Sequence, residues 1–255
     1  MKFPKINISP KAYIIATIAF IVILSTSLIG NSYYRTVKRI RVDINNEFEN
    51  YFIDEKEILR LMTSNDDDPI VGKYLRDVDL KLLEKRVRQC PFVEDVQAFK
   101  NHSGVVKIEV HQVKPLARIY YNGINDKYLL PSGKLIAVSP KYTSRTLIVR
   151  GDYTYKFGDT SFVNTADWKS YVNFFNRINA DQHWSAQIAE LKIQRDGSIV
   201  IFPQIGDYEI KFGKPDDLDI KFKKLNIFFK EILPLRGWDA YQAVNVQYKD
   251  QIICD

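Results

Sequence analysis

At 255 residues, with 45% hydrophobic and 27% charged side chains, the chain has apolar material for one or two folded domains and too balanced a composition for disorder. Its formal net charge of +6 is spread along the sequence rather than gathered in one Lys/Arg block, which argues poorly for nucleic acid and better for a surface near anionic lipid. Cys90 and Cys254 are the only cysteines and lack C-x-x-C spacing, so neither a disulfide scaffold nor a thiolate metal site is indicated; two unpaired thiols are expected, with one long-range disulfide as the alternative.

Residues 12–34 carry no charge and are dense in Ile, Val, Leu and Phe over about the length a helix needs to cross hydrocarbon. A retained anchor is expected; a cleaved secretory signal would have a shorter apolar region and an A-x-A site. Lys2, Lys5 and Lys11 precede the stretch while Arg35, Lys38, Arg39 and Arg41 follow it, so charge bias leaves the orientation open. The short 1–11 tail against the long remainder favours an outside C-terminus.

Residues 37–44 then alternate, with Ile40, Val42 and Ile44 apolar and Arg39, Arg41 and Asp43 polar, the period of a half-buried strand. Asp54 can cap a helix whose Glu57 reaches back, with Ile53 stapled onto Ile58, so that Ile58, Leu61 and Met62 face a core. Residues 65–68 and Pro69 end it. A second helix opens after Asp79 and places Leu80, Leu83, Val87 and Cys90 at three- and four-residue steps until Pro91. Strands follow at 93–99 and 105–113 around a turn at 101–104. Strand, helix, helix, strand, strand is a module that packs two helices on one face of a small sheet.

Beyond it, short apolar runs at 117–121, 127–130, 134–138 and 146–150, separated by Asn122-Gly123, Ser132-Gly133 and Gly151, read as a meander of hairpins. A helix capped by Thr165 aligns Trp168, Tyr171, Phe175 and Ile178. Two hairpins turn at Asp196-Gly197 and Gly206-Asp207. A long helix from Asp216 aligns Leu218, Phe222, Leu225, Phe229 and Ile232 until Pro234, and a last strand covers 243–253.

Catalytic signatures are missing: G-x-S-x-G, H-E-x-x-H, G-x-x-x-x-G-K-[ST] and G-x-G-x-x-G do not occur. His102 falls in a turn, His111 on the polar face of a strand and His183 in a polar loop, and nothing ties them together. Asp66, Asp67 and Asp68, or Asp216 and Asp217, read as helix stops and starts rather than as a cation site or an acid/base pair. The 15 Tyr and 15 Phe could line a glycan groove, but core is their simpler use. No cofactor, metal, nucleic acid or small-molecule substrate is expected.

Three stretches resemble, in order, the FtsQ/DivIB family of cell-division proteins. The strand-helix-helix-strand-strand module resembles a POTRA domain, with Ile40-x-Val42 opening it and Arg88-Gln89-Cys90 running into Pro91-Phe92-Val93. The run from Val110 through Lys114-Pro115-Leu116-Ala117-Arg118, followed by Leu130-Pro131-Ser132-Gly133, is similar to the family's hinge and Gly hairpin. Lys211-Phe212-Gly213 leading into a helix with Lys221, Lys224 and Leu225, then Val244-Asn245-Val246-Gln247-Tyr248, resembles its terminal strand. There Asn245 and Gln247 stand where the family often has Asp and Arg.

The resemblance implies an α+β protein: a tail at 1–11, one transmembrane helix at 12–34, a POTRA-like domain at 35–113 and a mainly antiparallel β domain with flanking helices at 114–255. It implies a non-catalytic scaffold in the inner membrane with outside C-terminal domains, recruiting FtsB/FtsL-type bitopic coiled-coil partners at the septum through the terminal strand. In a continuous strand Val244, Val246, Tyr248, Asp250 and Ile252 share one face, and backbone pairing with selective pockets is how such an edge binds. Arg195 matches the family's basic contact for an acidic partner helix. A POTRA-containing secretion or assembly component, or a membrane-anchored cell-wall-binding protein, is the alternative.

Overall fold

A computed structural model describes residues 10–33, 35–45, 50–120, 126–163 and 165–255, with residue 12 and residues 24–33 described by backbone alone. The expected Asn122-Gly123 turn and most of the 1–11 tail lie outside the described residues. Two compact units are present: Met1–Glu47 with Ile53–Gln112, and Phe48–Phe52 with Val113–Asp255.

In the first unit helix α1 (Pro10–Tyr33) has 24 residues, about 36 Å at the usual rise. Among the described residues no helix is long and apolar enough to cross a membrane. The spanning reading therefore rests on the uncharged sequence at 12–34. Next come β1 (Arg39–Asn45), α2 (Glu55–Met62), α3 (Leu80–Val87), β2 (Val93–Lys100) and β3 (Val105–Gln112). They form a mixed sheet in the order β1-β3-β2, with β1 parallel and β2 antiparallel to the central strand.

Local chemistry sets both helix starts. Asp54 Oδ1 accepts the Glu57 N–H at 2.8 Å and Asp79 Oδ1 accepts the Leu82 N–H at 3.1 Å, satisfying donors that a first helical turn leaves open. Ser64, Asn65 and Asp66 turn left-handed and end α2. Ile58, Met62, Leu83 and Val87 are buried, as are Val106, Ile108 and Val110 of the central strand. Leu61 stays half-buried instead of reaching that core.

The second unit is built on a sheet of nine strands among the described residues, in the order β12-β11-β10-β9-β8-β7-β4-β5-β6. Its members are β4 (Ala117–Ile119), β5 (Lys127–Leu129), β6 (Leu135–Ala137), β7 (Leu147–Arg150), β8 (Ile188–Ile193), β9 (Ile199–Pro203), β10 (Glu209–Gly213), β11 (Ala243–Asn245) and β12 (Ile253–Cys254), with α4 (Thr160–Val163), α5 (Ala166–Ala180), α6 (Gln182–Gln187), α7 (Leu218–Ile227) and α8 (Leu233–Arg236) between them. The hairpin meander holds for β4-β5-β6, but β7 returns beside β4 in parallel rather than pairing with β6. That placement makes β4 an interior strand, which is why Ala117 and Ile119 are both fully buried.

Helix α5 starts where Thr165 Oγ1 accepts the Trp168 N–H at 3.2 Å, and its Trp168, Tyr171, Phe175 and Ile178 enter the core together with Phe174. The helix after Asp216 is interrupted by a π turn at Phe228–Ile232 before α8 continues past Pro234. A π turn inserts one residue into the helical count. The buried face consequently slips, so that Phe228 and Leu233 are fully buried and Ile232 is not.

A short upstream strip completes this unit. Phe52 packs edge-on against Tyr128 and Tyr142 with centroids at 5.6 and 5.3 Å. Asn50 donates to the Val113 carbonyl at 3.3 Å and accepts from Ser144 Oγ at 2.8 Å. No sequence pattern announced this role for residues 50–52.

Candidate partner-docking edge

Strands β10 and β11 run parallel with Ile210 opposite Val244, and β12 closes antiparallel on β11 with Val244 opposite Cys254 and Asn245 opposite Ile253. The expected strand over 243–253 is therefore not continuous. Its two ends pair with each other, and residues 246–252 form an arm outside the ladder. Asn245 explains the break: its Oδ1 accepts the Gln247 N–H at 3.0 Å, the side-chain turn with which Asn competes against strand pairing. The Val246 N–H still reaches the Lys211 carbonyl at 3.1 Å.

From α7, Lys224 Nζ donates to the Val246 carbonyl at 3.1 Å and also to the Tyr248 carbonyl. Burial pushes the Lys224 pKa down, and the Asp250 carboxylate partly opposes this. One turn earlier, the buried Lys221 donates to the Lys214 carbonyl at 2.8 Å and pairs with Asp216. Both lysines are core members in spite of their charge. The hint in the sequence was their three-residue step beside the apolar Phe222 and Leu225.

The residues expected on one face divide. Val244 and Val246 are fully buried, while Tyr248 is 52% exposed; Asp250 is exposed and Ile252 half-buried. The arch separates them, because side chains alternate about a fixed plane only while the strand is straight. Gln247 lies over Gly213, whose φ is +79° and where an added Cβ would sit 2.8 Å from Gln247 Cγ. Gly213 pairs with Ile199 and Ile199 with Ile193, so the exposed Arg195 lies at the same end of the sheet as Gln247. The strands that carry them, β11 and β8, are three strand spacings apart, about 14 Å. Arg195 and the arm that carries Tyr248 thus belong to the same end of the sheet.

Other titratable groups have structural partners. Asp68 pairs with Lys73 and with Arg86 at 2.8 Å, and these bonds, Lys73 first, hold its carboxyl below the usual range. His183 lies in α6 against Trp184 and Phe229, 4.9 and 6.4 Å away, rather than in a polar loop. Asp167 and Asp216 line one cleft with Tyr153, Tyr171 and Lys214, where Lys221 engages Asp216. Neither cysteine forms a disulfide; burial raises the Cys254 thiol and Asp255 adds to it. Among the described residues no cluster of His, Cys, Asp and Glu is arranged to hold a metal.

A small three-stranded α+β module thus precedes a large mixed sheet that ends in a short edge strand. Residues 35–111 match a POTRA-like domain, and residues 114–255 match the family described as FtsQ/DivIB, C-terminal related. No curated protein shows a significant match. The second match alone covers more than half of the chain, which therefore belongs to the FtsQ/DivIB family. That family is a non-catalytic cell-division family that works through protein–protein contacts.

Proposed function

We propose that the protein is a single-pass scaffold of the division machinery, anchored in the cytoplasmic membrane through residues 12–34. On this reading the 1–11 tail is cytoplasmic, and the POTRA-like domain at 35–113 and the β domain at 114–255 stand outside, at the septum. The β domain recruits FtsB/FtsL-type bitopic coiled-coil partners. Arg195, Tyr248, Asp250 and Ile252 supply side-chain contacts, while Val244 and Val246 fix the arm from below. The observation that carries the reading is the end of the sheet: a two-residue outer strand, β12, directly after an arm that exposes Tyr248. An outer strand presents unpaired backbone groups to which another strand can add, and a half-exposed aromatic beside such an edge is a common hot spot.

The test is a photo-crosslinking residue at each position of 247–253 in living cells. Capture of a small bitopic coiled-coil protein, lost in Tyr248→Glu and weakened in Arg195→Glu, is the expected outcome. Absence of capture along the whole arm, with division unaffected by Tyr248→Glu, refutes this docking site; capture of an outer-membrane assembly component favours the secretion reading.

A further inference from the structure

The end of the POTRA-like unit nearest α1 is laced to the chain that leaves that helix. The Leu75 N–H donates to the Arg35 carbonyl at 2.8 Å, the Val37 N–H to the Lys73 carbonyl at 2.8 Å, and the Gly72 N–H to the Val37 carbonyl at 2.8 Å. Thr36 and Tyr74 stand opposite each other as an antiparallel bridge. Lys100 Nζ braces the same loop from below, donating to the carbonyls of Leu75 at 2.8 Å and Val78 at 3.1 Å. On this braced loop Val71 is 55% and Tyr74 40% exposed. The Arg76 guanidinium lies over the Tyr74 ring, 5.1 Å from its centroid, and Lys73 is alongside.

Helix α1 ends at Tyr33, and Arg35 is the first charged residue after Lys11. Two peptide steps reach about 7 Å at full extension. If residues 12–34 span a bilayer, the carbonyl of Arg35 stands at the headgroups, and the loop bonded to it has no freedom to stand elsewhere. An aromatic with a polar tip, an aliphatic neighbour and cations on either side are the side chains that an interface of this kind accommodates.

We propose that residues 71–76 form a phospholipid contact, with Val71 and Tyr74 immersed at headgroup depth and Arg76 and Lys38 meeting lipid phosphates, while Lys73 stays with Asp68 and Arg35 with the His102 carbonyl. The domain is thereby seated on the bilayer rather than swinging from a leash. This rests on the anchored reading given above.

The full chain is reconstituted into nanodiscs of phosphatidylcholine with phosphatidylglycerol, with brominated acyl chains as quencher. Val71→Trp, and separately Tyr74→Trp, is compared with the parent, whose native tryptophans give the blank. Lys56→Trp is the control: it lies beside Asp54, at the Gln112 end of the sheet, where the Ile53 N–H donates to the Gln112 side chain at 3.2 Å. That end is removed from the loop by the length of β1, about 20 Å. A blue shift and loss of emission for the loop tryptophans, and neither for the control, is expected. Retention of the chain in carbonate-washed membranes with no quenching at 71 or 74 overturns the lipid contact and leaves the anchor standing. Release of the chain by carbonate overturns the anchor and the contact with it.

Discussion

Lys224 carries its ammonium to the main-chain carbonyl of Val246, 3.1 Å away, and so holds by a charged hydrogen bond an arm that the sheet itself has released. Lys224→Met keeps the stem and removes the donor. Hydrogen bonds from charged groups are worth about 1.5–3 kcal/mol, and a loss of that order is expected in urea unfolding of the detergent-solubilised chain. Amide exchange at 247–250 should accelerate more than exchange in β8 and β9.

Gly213 and Gln247 make a second, separable test. Gly213→Ala places a methyl 2.8 Å from Gln247 Cγ at a φ of +79°, and left-handed backbone for a residue with a Cβ costs about 1–3 kcal/mol. The neighbour is a flexible side chain, so Gln247→Ala in the same chain should remove the contact but not the strain. Partial recovery of the thermal midpoint in the double variant is the expected result; full recovery would locate the whole cost in the contact.

Phe174 is fully buried with its ring 4.9 Å from that of Phe212. Truncating a buried Phe typically costs about 3–5 kcal/mol. Phe174→Ala should therefore unfold the second unit at markedly lower urea, read by near-ultraviolet dichroism, while exchange protection in β1 and β3 remains.

Asp68 sets an acid dependence in the first unit. Its carboxyl is held below the ordinary 3.8 by Lys73 and then Arg86, so the unfolded chain binds this proton more readily than the folded one. Stability from the cluster is complete above the ordinary carboxylate range and is lost as pH falls below about 4 toward the depressed value. Asp68→Asn should lower the urea midpoint at pH 7, and the gap to the parent should close as the pH is brought down through 4 to 2.

The sequence made the POTRA-like unit readable because its signals are local: Asp54 and Asp79 are bonded to the backbone three residues on, and β1 and β3 alternate cleanly. It also revealed the apolar side of α5. Long-range pairing was not legible. Nothing in Leu147, Ile148 or Val149 says that they return to β4, and nothing in the helix after Asp216 marks the π turn that trades Ile232 for Leu233. At the candidate edge, Tyr248 and Arg195 enter by resemblance alone. The division of Val244 and Val246 from Tyr248 was hidden, because it depends on a bond from Asn245 to its own backbone neighbour and on the tertiary reach of Lys224.

The strip at residues 50–52 bears on how this protein can be cut and recombined. Asn50 and Ser144 are 94 positions apart, with every helix and strand of the POTRA-like unit except β1 translated between Phe52 and Tyr128. Phe52 must therefore wait, unhoused, until the ring that receives it has been made. A chimera that transplants residues 114–255 onto a relative's POTRA-like domain carries a sheet with an aromatic socket at Tyr128 and Tyr142 and the Ser144 hydroxyl left without its Asn50 acceptor. Such a graft needs an Asn-x-Phe supplied by its new host in the same place, and relatives that provide one are the natural donors and acceptors.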